Sequence, residues 1–362
     1  MAPFDAVRAE AMALYQERKP AAALELWAQA LTAGMDTAAD AGERWECCML
    51  LGFYEEAWRI GDRVLRLRNP ADSDKAGIPA HRRFVWTGAA LTGATVLIRC
   101  YHGLGDTIQF LRFAPNLAAL GCRVIVQVQP ALVDLAAGVA GVDCVVPLDW
   151  RTAIPAHDVA IESMEIAHAL RITVADLPGA IPYVTPPPRL VAEQAARLPQ
   201  TGRLRVGIAW AAGDWDPRRT VPLDALDPLA GIAGVDYVNL QRGGAEAALN
   251  RGVGPAVVNP DDRSADIMAT AAAIANLDLV VTVDTMIAHL AGAMGREVWL
   301  LLHHAADWRW MATGNRSPWY PTIRIFRQPI PGAWGQPVAG IAAMLKDMGS
   351  RRTTIRPSRG RY

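Results

Sequence analysis

The sequence predicts an α/β protein with an all-α segment ahead of it, and three observations carry that reading. From about residue 90, short apolar runs alternate with helical patterns, as successive βα units and a mostly parallel sheet require. Over roughly the first 70 residues, Ala, Leu and aromatic residues recur at three- and four-residue spacing, with no strand-like alternation. A proline cluster with a polar helix behind it, "VTPPPRLVAEQAARLPQTGR", interrupts the alternation and reads as an interdomain linker. The α/β part thus divides into two Rossmann-like halves. The expected domains are 1–85, helical; 86–185 and 186–348, α/β; and 349–362, a flexible basic tail.

In the helical segment, "FDAVRAEAMALYQERKPAAALELWAQAL" and "AGERWECCMLLGFYEEAWRIGDRVLRL" each read as helix, break, helix, with breaks at "RKP" and "GFY". Ala22 and Ala57, just after the breaks, lie 35 residues apart, close to the roughly 34-residue tetratricopeptide period. Leu14, Tyr15, Trp27 and Ala30 mark one such unit, and Trp45, Leu51, Gly52, Tyr54 and Ala57 a second. A plain helical bundle burying the same residues is the alternative.

Hydrophobic residues make up 52% and charged residues 20%, which excludes disorder for most of the chain. The 36 basic and 36 acidic residues cancel, removing the overall field that nucleic acid or an anionic membrane would favour. Cys47, Cys48, Cys100, Cys122 and Cys144 show no CxxC spacing, which argues against zinc and disulfides and for a reducing, cytoplasmic setting. Neither a signal-peptide core nor a run of about 18 uncharged apolar residues is present, so no membrane span is expected.

Strands are expected at "TVLIRC", "RVIVQV", "DCVVPL" and "HDVAIE", then at "LRVGIAWAAG", "VDYVNLQ", "DLVVTV", "EVWLLL" and "IRIFRQ". This architecture places ligands at the carboxyl ends of strands and in the cleft between halves. After the first strand, "YHGLGD" has Gly103 and Gly105, which let backbone approach a ligand, and Asp106, which is either a helix cap or a catalytic base. The full GxGxxG fingerprint is absent, so a nicotinamide cofactor is not supported.

"VTVDTMIAHLAGAMG" ends a strand at Asp284 and opens a helix at Thr285 and Met286, with His289 one turn on. Free amides there suit a phosphate, with Asp284 as a cap the plainer alternative. "WAAGDWDPRRT" carries Asp214, Asp216, Arg218 and Arg219; paired arginines suit a diphosphate, and a solvated charged turn fits equally. "LLHHAADWRWMATGNRSPWYP" crowds His303, His304, Trp308 and Trp310, either as packing under a loop or as an aromatic wall for a base or sugar. No serine elbow, P-loop or HExxH occurs, and the adjacent histidines lack the spacing of a helical zinc pair, so no metal is expected.

The order of these elements, a GLGD junction, a "GIAW" strand with a basic loop, "VNLQ" ending in Gln241, "ANLDLVVTVDTMIAHLAGAMG", "DWRW" and "SPWYP", resembles the heptosyltransferase-type glycosyltransferases of family 9, in the branch that follows tetratricopeptide repeats. The resemblance runs from about residue 84 to 345. It implies a GT-B fold and inverting, metal-independent transfer from a nucleotide sugar, which is substrate rather than cofactor. By position it places the general base at Asp106 and a donor-sugar contact at Asp284. It places the diphosphate beside Thr285, Met286 and the helix amides, with His289 and Gln241 near, and neutralises it with Arg219 next to Arg218. His102, Gly103, Gly105, Trp308 and Trp310 are then the acceptor or loop candidates. Two departures stand out: relatives with the attached repeats usually show glutamine where this chain has His102, and the loop from Asp214 to Arg219 lacks their asparagine and histidine. The expected activity is transfer to a protein or glycan acceptor, with the helical repeats recognising a protein. The alternatives are an inactive scaffold or a nucleotide-sugar epimerase or hydrolase.

Overall fold

The computed structural model describes residues 3–34, 38–68, 86–149, 151–177, 179–213, 215–245, 254–259 and 266–354, so Asp214 and the end of the basic tail lie outside it. The chain forms two compact units: Met1–Ala180 with Ala305–Trp319, and Ile181–His304 with Tyr320–Tyr362. The segment 305–319 thus groups with the first unit, apart from its neighbours in sequence.

The first unit opens with helices α1 (Pro3–Gln16), α2 (Pro20–Thr32), α3 (Ala41–Leu51) and α4 (Tyr54–Leu65). Pro20 at the start of α2 needs no N–H partner there. Gly52 ends α3 at φ +79°, a left-handed turn in which the Phe53 amide donates to the Cys48 carbonyl at 2.8 Å. Ala11, Ala23, Trp27 and Cys47, spaced along three helices, meet in one buried cluster, which is what the three- and four-residue periodicity encodes.

The α/β part of this unit contains β1 (Thr95–Arg99), α5 (Leu104–Phe110), α6 (Ala114–Ala119), β2 (Arg123–Val128), α7 (Val133–Ala137), β3 (Cys144–Pro147), β4 (Val159–Glu162) and α8 (Ile166–Ala169). The sheet order is β3-β2-β1-β4, parallel throughout, with Arg99 opposite Glu162 at the carboxyl ends of β1 and β4. The chain builds away from β1 on one side and returns for β4 on the other. The switch point, where open α/β sheets bind ligands, is therefore between β1 and β4.

The segment 305–319 packs on the N-terminal helices. The Ala312 amide donates to the Leu50 carbonyl at 2.9 Å, the Trp308 ring meets Trp45 edge-on at 5.3 Å, and Trp319 Nε1 donates to the Tyr54 hydroxyl at 3.0 Å.

The second unit contains α9 (Pro188–Arg197), β5 (Leu204–Ala209), β6 (Val235–Asn239), β7 (Val257–Val258), α10 (Ile267–Ala275), β8 (Leu279–Val283), α11 (Met286–Ala293), β9 (Val298–Leu302), β10 (Ile323–Arg327) and α12 (Gly335–Thr354). The order is β10-β9-β8-β5-β6-β7, again all parallel, with its switch point between β5 and β8. β8 and β9 are buried along their whole length, so they read as unbroken apolar runs. The helix in the proline-rich linker is α9, and Asn276 beyond α10 donates to its Val191 carbonyl at 2.9 Å. α12 buries Val338, Ile341, Ala342 and Leu345 in the sheet core and continues to Thr354, into residues expected as tail.

Candidate functional site

In the first unit, three of the loop candidates sit at the β1/β4 switch point. Gly103 is exposed, and Asp106, in the first turn of α5, accepts the Gly103 amide on Oδ2 at 3.0 Å. Its Oδ1 accepts from Arg309 Nη2 at 2.8 Å. Arg309 is 8% exposed. It also donates to Gln109 Oε1 and Asp307 Oδ1 at 2.8 and 2.9 Å and lies over the Trp308 ring at 4.5 Å. The cap reading of Asp106 is therefore realised, and a buried guanidinium is added to it. Asp106 keeps a partly exposed side chain beside the exposed Gly103.

Next to it, Glu162 ends β4 and is 8% exposed. Its Oε1 accepts from Ser163 Oγ at 2.9 Å and lies 3.4 Å from His102 Nε2, while Oε2 accepts the Met164 amide at 3.0 Å. Burial pushes its carboxyl up to about 7, and the nearby Glu165 and Asp106 charges add to the rise against the two hydrogen bonds. The loop is further pinned by Gln129, which donates to the His102 carbonyl at 2.6 Å and accepts from Thr107 Oγ1 at 3.0 Å.

In the second unit, the β5/β8 switch point gathers the loop after β5 and the helix after β8. Asp216 caps the turn 217–219 and holds Arg218 by two bonds of 2.8 Å, which keeps its carboxyl below the usual carboxylate range. Arg218 is thus committed to Asp216. Arg219 reaches the other strand end, Nη1 donating to the Asp284 carbonyl at 3.2 Å. Thr285 caps α11, its hydroxyl accepting the Ile287 amide at 3.3 Å, and Met286 is half-buried behind it. His289 is buried; Nδ1 pairs with the Tyr320 hydroxyl at 3.0 Å, and Nε2 lies 3.9 Å from Asp284 Oδ1. Gln241 accepts the Trp210 and Ala211 amides at 3.0 and 2.8 Å, so its side chain shapes the end of β5.

Arg219, Asp284, Thr285 and Met286 come together at the N-terminus of α11, with one guanidinium and one carboxylate among them. His289 lies behind Asp284, while Gln241 holds the end of β5. Trp308 and Trp310 do not form an open wall: they are 9% and 0% exposed, with Trp308 packed against Trp45 and Trp319, as the alternative of packing under a loop expects. Arg309 and Glu162 were missed by sequence reasoning. "DWRW" marked the first only as part of a motif, and the second showed only as the last letter of a strand. Among the described residues no group of three or more His, Cys, Asp or Glu side chains is gathered that could hold a metal ion. No helix among them is long and apolar enough to cross a membrane.

No protein-family model matches the chain. Protein FlbA of Caulobacter vibrioides is 27% identical over 337 residues, an alignment covering 83% of this chain and 53% of that protein, so the chain spans about half the length of the curated relative it matches. Among solved structures, the glycosyl transferase family 9 protein of Veillonella parvula superposes with a TM-score of 0.53 at 11% identity, covering 72% of this chain and 98% of that one. The E. coli ADP-heptose lps heptosyltransferase II superposes at 0.51 and 13% identity, covering 72% and 99%. At these identities the likeness is one of fold: two parallel α/β sheets arranged in sequence as in the GT-B heptosyltransferases, here preceded by helices.

Proposed function

We propose that this chain is an inverting, metal-independent glycosyltransferase that moves a sugar from a nucleotide-sugar donor to a hydroxyl of a protein or glycan acceptor. The observation that carries the reading is the bond from Arg219 to the Asp284 carbonyl, which brings a guanidinium to the N-terminus of α11 at the β5/β8 switch point. A departing nucleoside diphosphate gains negative charge as its bond to the sugar breaks. A fixed cation and a helix N-terminus are the groups that stabilise such charge without a metal.

In this reading Arg219, Thr285 and Met286 hold the diphosphate, with Arg218 at its outer edge. Asp284 meets the sugar, while His289 and Gln241 keep these groups in place. In the first unit Asp106 takes the proton from the acceptor hydroxyl as its oxygen bonds to the anomeric carbon, and Gly103 and Gly105 leave room for the acceptor. The packing of α1 on α2 and of α3 on α4 supports a tetratricopeptide-like segment that recognises a protein acceptor. Five unpaired cysteines support a cytoplasmic setting.

The test is a thermal-shift screen of the full chain against nucleotide sugars and nucleoside diphosphates. A true ligand at about 100 times its Kd adds roughly 2.7 kcal/mol of apparent stability. We expect one nucleotide to stand out in the wild type and to lose its shift in Arg219→Ala. If no nucleotide sugar stabilises the chain, the transferase reading fails, leaving a scaffold that acts through its helices.

A further inference from the structure

Arg309 reaches the candidate base from a distant part of the chain, and its own orientation is fixed on every side. Nε donates to Gln109 Oε1 at 2.8 Å, Nη1 to Asp307 Oδ1 at 2.9 Å and Nη2 to Asp106 Oδ1 at 2.8 Å, with Met164 Sδ 3.1 Å from the same Nη2. The guanidinium carbon lies 4.5 Å from the centre of the Trp308 ring and 5.7 Å from that of Phe110. Trp308 meets Trp45 of α3 edge-on, so the cation is braced from the N-terminal helices. A planar fork held at its edge and on its face presents its donors in one direction.

Charge balance does not require the bond to Asp106. A buried guanidinium needs an acidic partner, and Asp307, its near neighbour in sequence, already provides one at 2.9 Å. Nor does capping require it, because Oδ2 alone takes the Gly103 amide. What the bond adds is direction: with Oδ2 tied to the loop and Oδ1 to Arg309, the Asp106 side chain has no torsion left to turn. Each oxygen keeps a further acceptor position, and the side chain stays 27% exposed where that of Arg309 is 9% exposed. A carboxylate fixed from its buried side and open on the other is the arrangement a general base needs, since a misplacement of about 1 Å costs on the order of a hundredfold in rate.

We infer that Arg309 is a positioning residue for proton transfer: it holds Asp106 Oδ1 from behind and so aims the open edge of that carboxylate at the acceptor hydroxyl. The inference rests on the transferase reading and adds to it the group that keeps its base in place. It also gives the 305–319 segment a task at the site, since that segment carries Arg309 together with Asp307 and Trp308, the partners that orient it.

A double-mutant cycle on the full chain decides it, read as nucleoside diphosphate release from the nucleotide sugar with the largest thermal shift, with water as acceptor. Arg309→Ala should lower kcat about thirtyfold or more and leave KM and nucleoside diphosphate affinity within about twofold of wild type. Arg309→Lys keeps the stem and the charge without the fork, so its kcat should lie between the two; it also serves in the cycle if the alanine variant does not fold. In an Asp106→Asn background the same substitution should change kcat by less than about twofold, because a residue that acts through Asp106 then has no base left to position. Losses that multiply in the double variant, or a wild-type kcat in the single one, overturn the inference and leave Arg309 as packing, with the transferase reading intact. A chain that no nucleotide sugar stabilises removes that reading, and the role of Arg309 falls with it.

Discussion

At Asp106 a helix cap and a candidate base share one carboxylate, because Oδ2 takes the Gly103 amide while Oδ1 takes Arg309. Asparagine can keep one of those bonds but cannot take up a proton. Asp106→Asn should therefore cut transfer by about a hundredfold or more while leaving nucleotide binding unchanged, read by turnover and calorimetry on the same sample. Undiminished turnover would return Asp106 to the cap alone. Glu162 makes a different statement, about stability. Burial raises its carboxyl from 4.5 to about 7, so the folded chain holds that proton more tightly than the unfolded one. The resulting stability is full below about pH 4.5 and is lost as pH rises through about 7, a loss on the order of 3 kcal/mol. Glutamine cannot ionise. Glu162→Gln should accordingly be more stable than wild type near pH 8 by an amount approaching that loss, and no more stable near pH 4.5, in urea unfolding at both values. An equal difference at both would remove the burial argument. Neither Glu162 nor Arg309 was legible as functional in the sequence, because what makes each notable is its surroundings: one is a carboxyl placed at the end of a buried strand, the other a buried cation lying over Trp308 and Phe110.

The strands were legible because buried parallel strands appear as continuous apolar runs, as in "DLVVTV" and "EVWLLL". β7 was not, since two valines between prolines carry neither length nor period. Among the helices, α11 shows how an element positions a site. Its small residues let it lie close to Tyr320: a Cβ built on Gly292 would come within 2.5 Å of that ring. The Tyr320 hydroxyl in turn holds His289, whose far edge faces Asp284. Gly292→Ala must therefore displace a rigid aromatic ring, at a cost of roughly 1–3 kcal/mol, and should weaken nucleotide binding along with stability. Phe at position 320 separates the two effects. Tyr320→Phe removes only the hydroxyl, so it should loosen His289 and reduce nucleotide affinity with little change in packing. Full affinity in Tyr320→Phe would show that His289 needs no such support.

For the molecule as a whole, the two sheets with their switch points at β1/β4 and β5/β8 were readable in outline, since alternation of runs and helices dictates two α/β halves. The return of 305–319 to the first unit was not, because nothing local in "AADWRWMATGNRSPW" says which sheet its tryptophans will join. That return changes what the N-terminal helices are for. Arg18 donates to the Ala306 carbonyl and pairs with Glu46, the Leu50 carbonyl accepts the Ala312 amide, and Tyr54 and Trp58 close a tryptophan cluster with Trp45, Trp308 and Trp319. Without those helices the cluster loses one wall. Two large rings, Trp308 and Trp319, would face water, each forfeiting on the order of 2–3 kcal/mol of burial, and Arg309 would lose the packing that holds it against Asp106. The helices are thus part of the first unit's core as well as a candidate acceptor groove. A chain beginning at residue 86 should accordingly aggregate or unfold at a markedly lower temperature than the full chain, and a soluble 86–362 fragment with unchanged Tm would show the helical segment to be a separable module. The same core can be tested without truncation. Trp27→Ala empties the centre of the helical cluster, where the ring is 1% exposed. It should cost about 3–5 kcal/mol, and because the helices and the 305–319 segment pack as one body, the loss should appear as a single cooperative shift of the first unit and not as early melting of the helices alone.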